Sequence, residues 1–248
     1  MKTSNKLLLG FFATCVLTLL TGMIMTNANM VVYQYEDLPD NPHTELVYDD
    51  YDSHVLNLDG NLQHYVLDPS FKGVKVSGRK ERIKSVEISD TPKGLYMYHK
   101  GEQHVRGGIE IIIGVEGMTE LALRVKSGAR VSCVGTLVNE ELTINFSDHT
   151  EIELKYEGSV LSVDGEDNGS LTLSGKAGAV SLMMEDHSKL SGEGLEVDSL
   201  SVEMSDSSMA ALSYAAYTKG EVEDHASLSF EKKTETGEIK ENDNASVR

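Results

Sequence analysis

Tryptophan is absent from this 248-residue chain, phenylalanine occurs five times, proline four times and cysteine twice. Each scarcity excludes something. Cys15 lies in a hydrophobic N-terminal stretch and Cys133 in an apolar strand pattern, so no pair within a domain is available for a disulfide or a cysteine-based metal site. Cys133 reads as a small buried hydrophobe. No proline follows Pro92, as long uninterrupted hydrogen-bond ladders require. Basic residues are also few: 22 against 40 acidic, a net charge of −18. Nucleic acid and anionic lipid surfaces both select a basic partner, so neither is expected here.

What is present begins with an uncharged run, Leu7 to Met25, preceded by Lys2 and Lys6. At a rise of 1.5 Å per residue it covers about 28 Å of a roughly 30 Å hydrocarbon core. Residues 1–28 are therefore expected to form a membrane anchor or signal segment. Signal-peptide cores are shorter, and Thr26-Asn27-Ala28 matches a cleavage site poorly, which favours an uncleaved transmembrane helix. The two lysines place the N-terminus in the cytoplasm and the bulk outside, anchored to the inner membrane with a periplasmic domain, or exported if the segment is cleaved. Residues 29–53, dense in acids and broken by Pro39 and Pro42, read as an acidic tether. The side chains of Tyr33, Tyr35, Tyr48 and Tyr51 are expected either at the membrane surface or docked on the domain.

From Val55 onward the apolar period is two, as in Ile109-x-Ile111-x-Ile113-x-Val115 and Leu121-x-Leu123-x-Val125, with each run ending in Gly, Asp, Asn or Ser. These are short strands, and the domain, residues 54–235, is all-β. An internal repeat then appears when LTINFSDHTEIEL from 142 is laid beside LSVDGEDNGSLTL from 161, VSLMMEDHSKL from 180, LSVEMSDSSMAAL from 200 and EVEDHASLSF from 221. The aspartates at 148, 167, 186, 206 and 224 step by 19, 19, 20 and 18 residues. Around them apolar residues recur at −6, −4, −2, +4 and +6, except for Gly165, Gly192 and, in the last unit, Thr218 and Gly220. A unit this small cannot bury an apolar face alone, whereas equivalent units stacked in parallel bury a continuous one. A β-sandwich also has frequent turns, but its strands need not repeat residue classes at fixed offsets. The expected fold is a single-stranded parallel β-helix with about 18 to 20 residues per rung, closed by Glu231, Lys232 and Lys233 and followed by a polar tail, 236–248.

Ser127-Gly128-Ala129, the equivalent Ser147-Asp148-His149-Thr150-Glu151-Ile152, the opening Phe71-Lys72-Gly73-Val74-Lys75-Val76-Ser77-Gly78 and the later Gly94-Leu95-Tyr96-Met97-Tyr98 resemble the rung turns and N-terminal strands of a family of secreted Bacteroidetes proteins described as "putative auto-transporter adhesin, head GIN domain". The resemblance covers about residues 55 to 235. It implies a right-handed parallel β-helix in the periplasm or at the surface, and brings no catalytic residues with it.

Among the residues themselves, the aspartate column is the one constellation with candidate chemistry. Asp148, Asp167 and Asp186 are weak candidates for a metal site, since carboxylates about 4.8 Å apart on successive rungs can share a hard cation. The alternative is that they form turns. His149, His187 and His225 recur two rungs apart, too far to meet on one metal ion. Gly78-Arg79-Lys80-Glu81-Arg82-Ile83-Lys84 reads as an exposed strand or loop. No phosphate loop, dinucleotide fingerprint, nucleophile elbow or His-Glu-x-x-His appears, and evenly spaced acids do not make an acid/base pair. No catalytic residue and no cofactor is expected. The reading is a non-enzymatic cell-envelope protein presenting a β-solenoid surface for interaction or adhesion, with an envelope protein or carbohydrate as partner. The alternative is a polysaccharide lyase-like enzyme on a β-helix.

Overall fold

The computed structural model describes residues 43–48, 51–60, 62, 64–99, 109–232, 234 and 236–248. The predicted N-terminal anchor lies outside them. No helix among the described residues is long and apolar enough to cross a membrane. Among the described residues seventeen strands form one sheet, a parallel β-solenoid of about 7 turns with antiparallel pairings confined to its N-terminal part. They are β1 (His43–Tyr48), β2 (Val55–Asp59), β3 (His64–Asp68), β4 (Lys72–Arg79), β5 (Val86–Thr91), β6 (Gly94–His99), β7 (Ile109–Val115), β8 (Glu120–Lys126) and β9 (Arg130–Cys133). Then follow β10 (Leu137–Phe146), β11 (Glu151–Gly165), β12 (Ser170–Met184), β13 (Lys189–Met204), β14 (Met209–Val222), β15 (Ser227–Phe230), β16 (Thr236–Glu241) and β17 (Ser246–Val247).

The repeat explains the long strands. In β11 to β14 the first half lies on the wall after the aspartate turn, and the second half bends around the next corner onto the wall before the following turn. Each pairs in parallel with the rung above and below. The inward column Leu142, Leu161, Val180 and Leu200 is in register and buried, as is Ile144, Val163, Leu182 and Val202. Each such side chain contributes about 1.5–3 kcal/mol of burial. Thr218 continues the first column, fully buried, with a hydroxyl that has no hydrogen-bond partner among the described residues. Departures from a 19-residue step are absorbed away from the aspartate turn: the register shifts between Thr172 and Gly175 against β13, and between Gly192 and Glu196 against β14.

Three features depart from the sequence reading. The solenoid does not stack in chain order, because β2 pairs with β6 on one side and β8 on the other, and β3 with β7 and β9. The rung at 55–68 is thus inserted between two later ones. At its corner Gly60 donates to the Lys126 carbonyl at 3.0 Å, and a Cβ there would collide with the Ser127 carbonyl. Secondly, the expected tether enters the domain early. Residues 43–48 form β1, antiparallel to β4, which is itself antiparallel to β7. Tyr51 is buried, its hydroxyl donating to the Gly114 carbonyl at 2.8 Å. Thirdly, residues 236–248 are a further rung: β16 pairs with β14 and β17 with β15. Glu231 and Lys232 therefore do not close the stack. Glu231 accepts from Ser213 Oγ at 2.7 Å, and Lys232 pairs with Glu196 at 3.4 Å.

The basic cluster ends β4 and makes one helical turn, Lys80–Ile83, with Ile83 buried and Lys84 exposed. Cys133 is free and half-buried, its thiol pushed up to about 11 by burial and then by the Asp68 carboxylate.

Candidate functional site

The corner that carries the aspartates is built from backbone conformation. Both central turn residues hold positive φ: Asp148 and His149 at 57° and 61°, Asp167 and Asn168 at 48° and 61°, Asp186 and His187 at 48° and 63°. Asp206-Ser207 and Asp224-His225 repeat this. Asp, Asn and His enter that region more readily than other side chains, and two such residues in succession make a type I′ turn. Closure is by Gly169 N–H to Glu166 O, Ser188 N–H to Glu185 O and Ala226 N–H to Glu223 O, each 3.0 Å. The turns then bond to one another. His149, Asn168 and His187 donate their backbone N–H to the carbonyls of Asp167, Asp186 and Asp206 on the next rung, at 3.1, 3.0 and 3.0 Å. Asp243-Asn244 forms a sixth such turn, receiving the His225 N–H at 3.2 Å.

The carboxylates of Asp148, Asp167 and Asp186 point into solvent at the corner, and the three histidines are exposed beside them. The nearest hydrogen bonds to the aspartate side chains are local: Ser147 Oγ donates to Asp148 and Ser205 Oγ to Asp206, both at 3.3 Å. Among the described residues no group of three or more His, Cys, Asp or Glu side chains converges. The structure thus gives each aspartate a turn to form and leaves its charge outward. Glutamates beside the turns are affected by this. The Glu166 carboxyl is raised by burial and then by Asp164, Asp167, Glu185 and Asp186; Glu223 is raised by burial and then by Glu221, Asp224, Asp243 and Asp206.

Three walls surround the core. The outward column Thr143, Ser162, Ser181 and Ser201 runs along one, and Glu153, Thr172, Ser191 and Ala211 along the second. The third carries Glu157, Lys176 and Glu196, alternating in sign up the stack. On this wall lies a shallow open groove of about 530 Å³, lined by Glu157, Gly158, Ser159, Lys176, Gly178 and Asp198. Gly158 itself stands in the inward column with the buried Ala177 and Val197, and a Cβ there would strike the Tyr156 hydroxyl and the Asn139 carbonyl. The three charged side chains in the groove are all exposed. A catalytic acid/base pair, by contrast, is set apart by burial and close like charge.

Residues 54–231 match the family model described as "Putative auto-transporter adhesin, head GIN domain". The chain belongs to this family. Crystal structures show the same fold in three Bacteroidetes proteins. A "putative adhesin" of Bacteroides fragilis superposes with a TM-score of 0.65 at 13% identity, covering 84% of this chain and 97% of that one. For a "putative adhesin" of Parabacteroides merdae the values are 0.67, 13%, 83% and 94%. For a "putative lipid binding protein" of Parabacteroides distasonis they are 0.64, 11%, 83% and 95%. No curated protein matches the chain. The head GIN domain of this chain, 54–231, begins after β1 and ends before β16, so those strands are additions to the matched span.

Proposed function

We propose that this head GIN protein is a non-enzymatic envelope or surface protein whose solenoid walls present a repeating polar surface to an extended partner, an extracellular carbohydrate or another envelope protein. The observation that carries the reading is the periodicity of the walls: Thr143, Ser162, Ser181 and Ser201, and likewise Glu157, Lys176 and Glu196, recur once per rung, at about 4.8 Å spacing. A repeating surface favours a repeating ligand, because each added contact is made at fixed geometry and little further ordering cost. The family's description and the names of two of the three superposable Bacteroidetes proteins support adhesion. The N-terminal run Leu7 to Met25 would hold such a protein at the membrane.

The groove with Glu157, Lys176 and Asp198 gives the polysaccharide-lyase reading its one foothold. Both readings are tested by presenting the full chain in lipid nanodiscs to a glycan panel and to envelope extracts. The expected result is saturable binding without turnover. Release of unsaturated sugar ends, abolished in Lys176→Ala, would replace the proposal with the enzyme.

A further inference from the structure

We infer that the corner between the third and first walls is a cleft that binds a neutral oligosaccharide chain along the stack axis. The inference rests on the proposal that the walls meet an extended partner, and it names that partner's class and place. At this corner β11 to β14 pass through Ser159, Gly178, Asp198 and Ala216 and then present the outward column Val160, Ala179, Ser199 and Tyr217. Val160 and Tyr217 are 42% and 46% exposed, while Ala179 and Ser199 between them are short and open to solvent. The column is thus high at both ends and low between, over three rung steps or about 14 Å. Its low stretch adjoins the groove lined by Ser159, Gly178 and Asp198. Two residues on, along the same strand faces, stand the hydroxyls of Ser162, Ser181 and Ser201.

The rim offers unpaired groups of both signs. Lys176 lies in register between Glu157 and Glu196, yet Glu196 pairs with Lys232 at 3.4 Å. Glu157, Lys176 and Asp198 make no ion pair or side-chain hydrogen bond among the described residues. An exposed ammonium and two exposed carboxylates are therefore free to bond a ligand. Tyr217 is braced: its ring packs on Gly237 of β16, where a Cβ would collide with two ring carbons. A ring held in this way is a low-cost platform, because little side-chain freedom is lost on contact.

These features select a sugar chain. Each of β11, β12 and β13 is paired on both edges, so an extended peptide finds no backbone ladder to join. A pyranose ring brings an apolar face of C–H groups, which suits Tyr217 and Val160, and a rim of hydroxyls that donate to carboxylates and accept from an ammonium. Two carboxylates against one ammonium, on a chain of net charge −18, oppose a polyanion. A neutral chain is thus favoured over a uronate chain. Because β-elimination by a lyase needs a uronate, whose carboxylate acidifies the neighbouring C–H, this selection also separates the cleft from the lyase reading. Each contact in so open a site is weak, and affinity grows as a longer chain engages further rungs.

The test is a ligand-observed NMR titration of the full chain in lipid nanodiscs with cellohexaose, mannohexaose and hexagalacturonate. A neutral hexamer is expected to bind about tenfold or more tightly than the uronate. Tyr217→Ala should weaken that binding about fivefold or more, and Tyr217→Phe should keep it, since the ring face is what the sugar meets. Ala179→Arg, which fills the low stretch, should abolish it, whereas Ser191→Arg on the second wall should leave it unchanged. Should Ala179→Arg melt lower than the parent, the two Tyr217 variants decide. Binding of neither neutral hexamer, preference for the uronate, or a Tyr217→Ala variant that binds like the parent overturns the inference. Saturable binding to envelope extracts with no sugar bound overturns the cleft and leaves the wall reading standing, and binding to neither ends both.

Discussion

Each aspartate of the corner is held by its backbone, since its positive φ and its carbonyl are what the turn ladder uses. Asparagine satisfies both requirements. Replacing Asp167 and Asp186 together with Asn is therefore expected to raise the melting temperature slightly by removing stacked like charge, and added Ca²⁺ should leave parent and variant unchanged. A rise of several degrees in millimolar Ca²⁺, seen in the parent alone, would make the column a cation site. Glu166 and Glu223 give the same corner a pH dependence. Their folded carboxyls lie above the ordinary glutamate value, so between the ordinary and the raised values the native state holds more protons than the unfolded chain. That contribution is full below the ordinary value and is lost as pH rises through the raised one. Thermal denaturation should thus show a part of the melting temperature that is lost as pH rises above the ordinary glutamate range, and a smaller loss in Glu166→Gln/Glu223→Gln; an unchanged loss would place the effect elsewhere. The turn column was legible in the sequence because Asp-His, Asp-Asn and Asp-Ser are side-chain signatures of left-handed backbone. The sixth member was open to the same reading: Asp243-Asn244-Ala245-Ser246-Val247 repeats Asp224-His225-Ala226-Ser227-Leu228, and the polar residues around it hid the match.

Strand by strand, the stack is as strong as its shared columns. Leu182 lies between Val163 and Val202, 2% exposed, so Leu182→Asp should put an unpaired charge into the core at a cost of several kcal/mol. Loss of cooperative unfolding in circular dichroism is expected; a parent-like melt would refute the inward assignment. Thr218→Val, which removes a buried hydroxyl without a partner at nearly constant shape, should stabilise by about 1 kcal/mol. Glu241→Leu, opposite Val222 in the last rung, should make that rung an apolar end that associates in a concentration-dependent way. The inner rungs were readable from period and offset alone. The insertion of β2 and β3 between later rungs was not, because period-two alternation sets which face a residue takes and says nothing about which strand lies beside it. β1 was hidden for a different reason. Six residues flanked by Pro42 and the acids Asp49 and Asp50 look like linker until β4 supplies an antiparallel partner.

At the scale of the molecule, the solenoid converts a repeat in sequence into a repeat in space. Inward columns make one continuous core, the aspartate turns make a charged corner, and the outward columns make walls on which chemistry recurs once per rung. That arrangement suits extended contact more than a single reactive centre. A groove on the third wall interrupts it, rimmed by the exposed charges of Glu157, Lys176 and Asp198. The measurement that tests the central claim most directly is a wall-by-wall scan of partner binding. Charge is introduced at Ser181 on the first wall, Ser191 on the second and Gly178 in the groove, and the melting temperature and affinity of each full-length variant are compared with the parent. The account predicts that the stack tolerates the change at Ser181 or Ser191, and that affinity falls at least tenfold for one wall while the other keeps it. If binding depends on the groove alone and is accompanied by turnover of the ligand, the walls are scaffold and the account is contradicted.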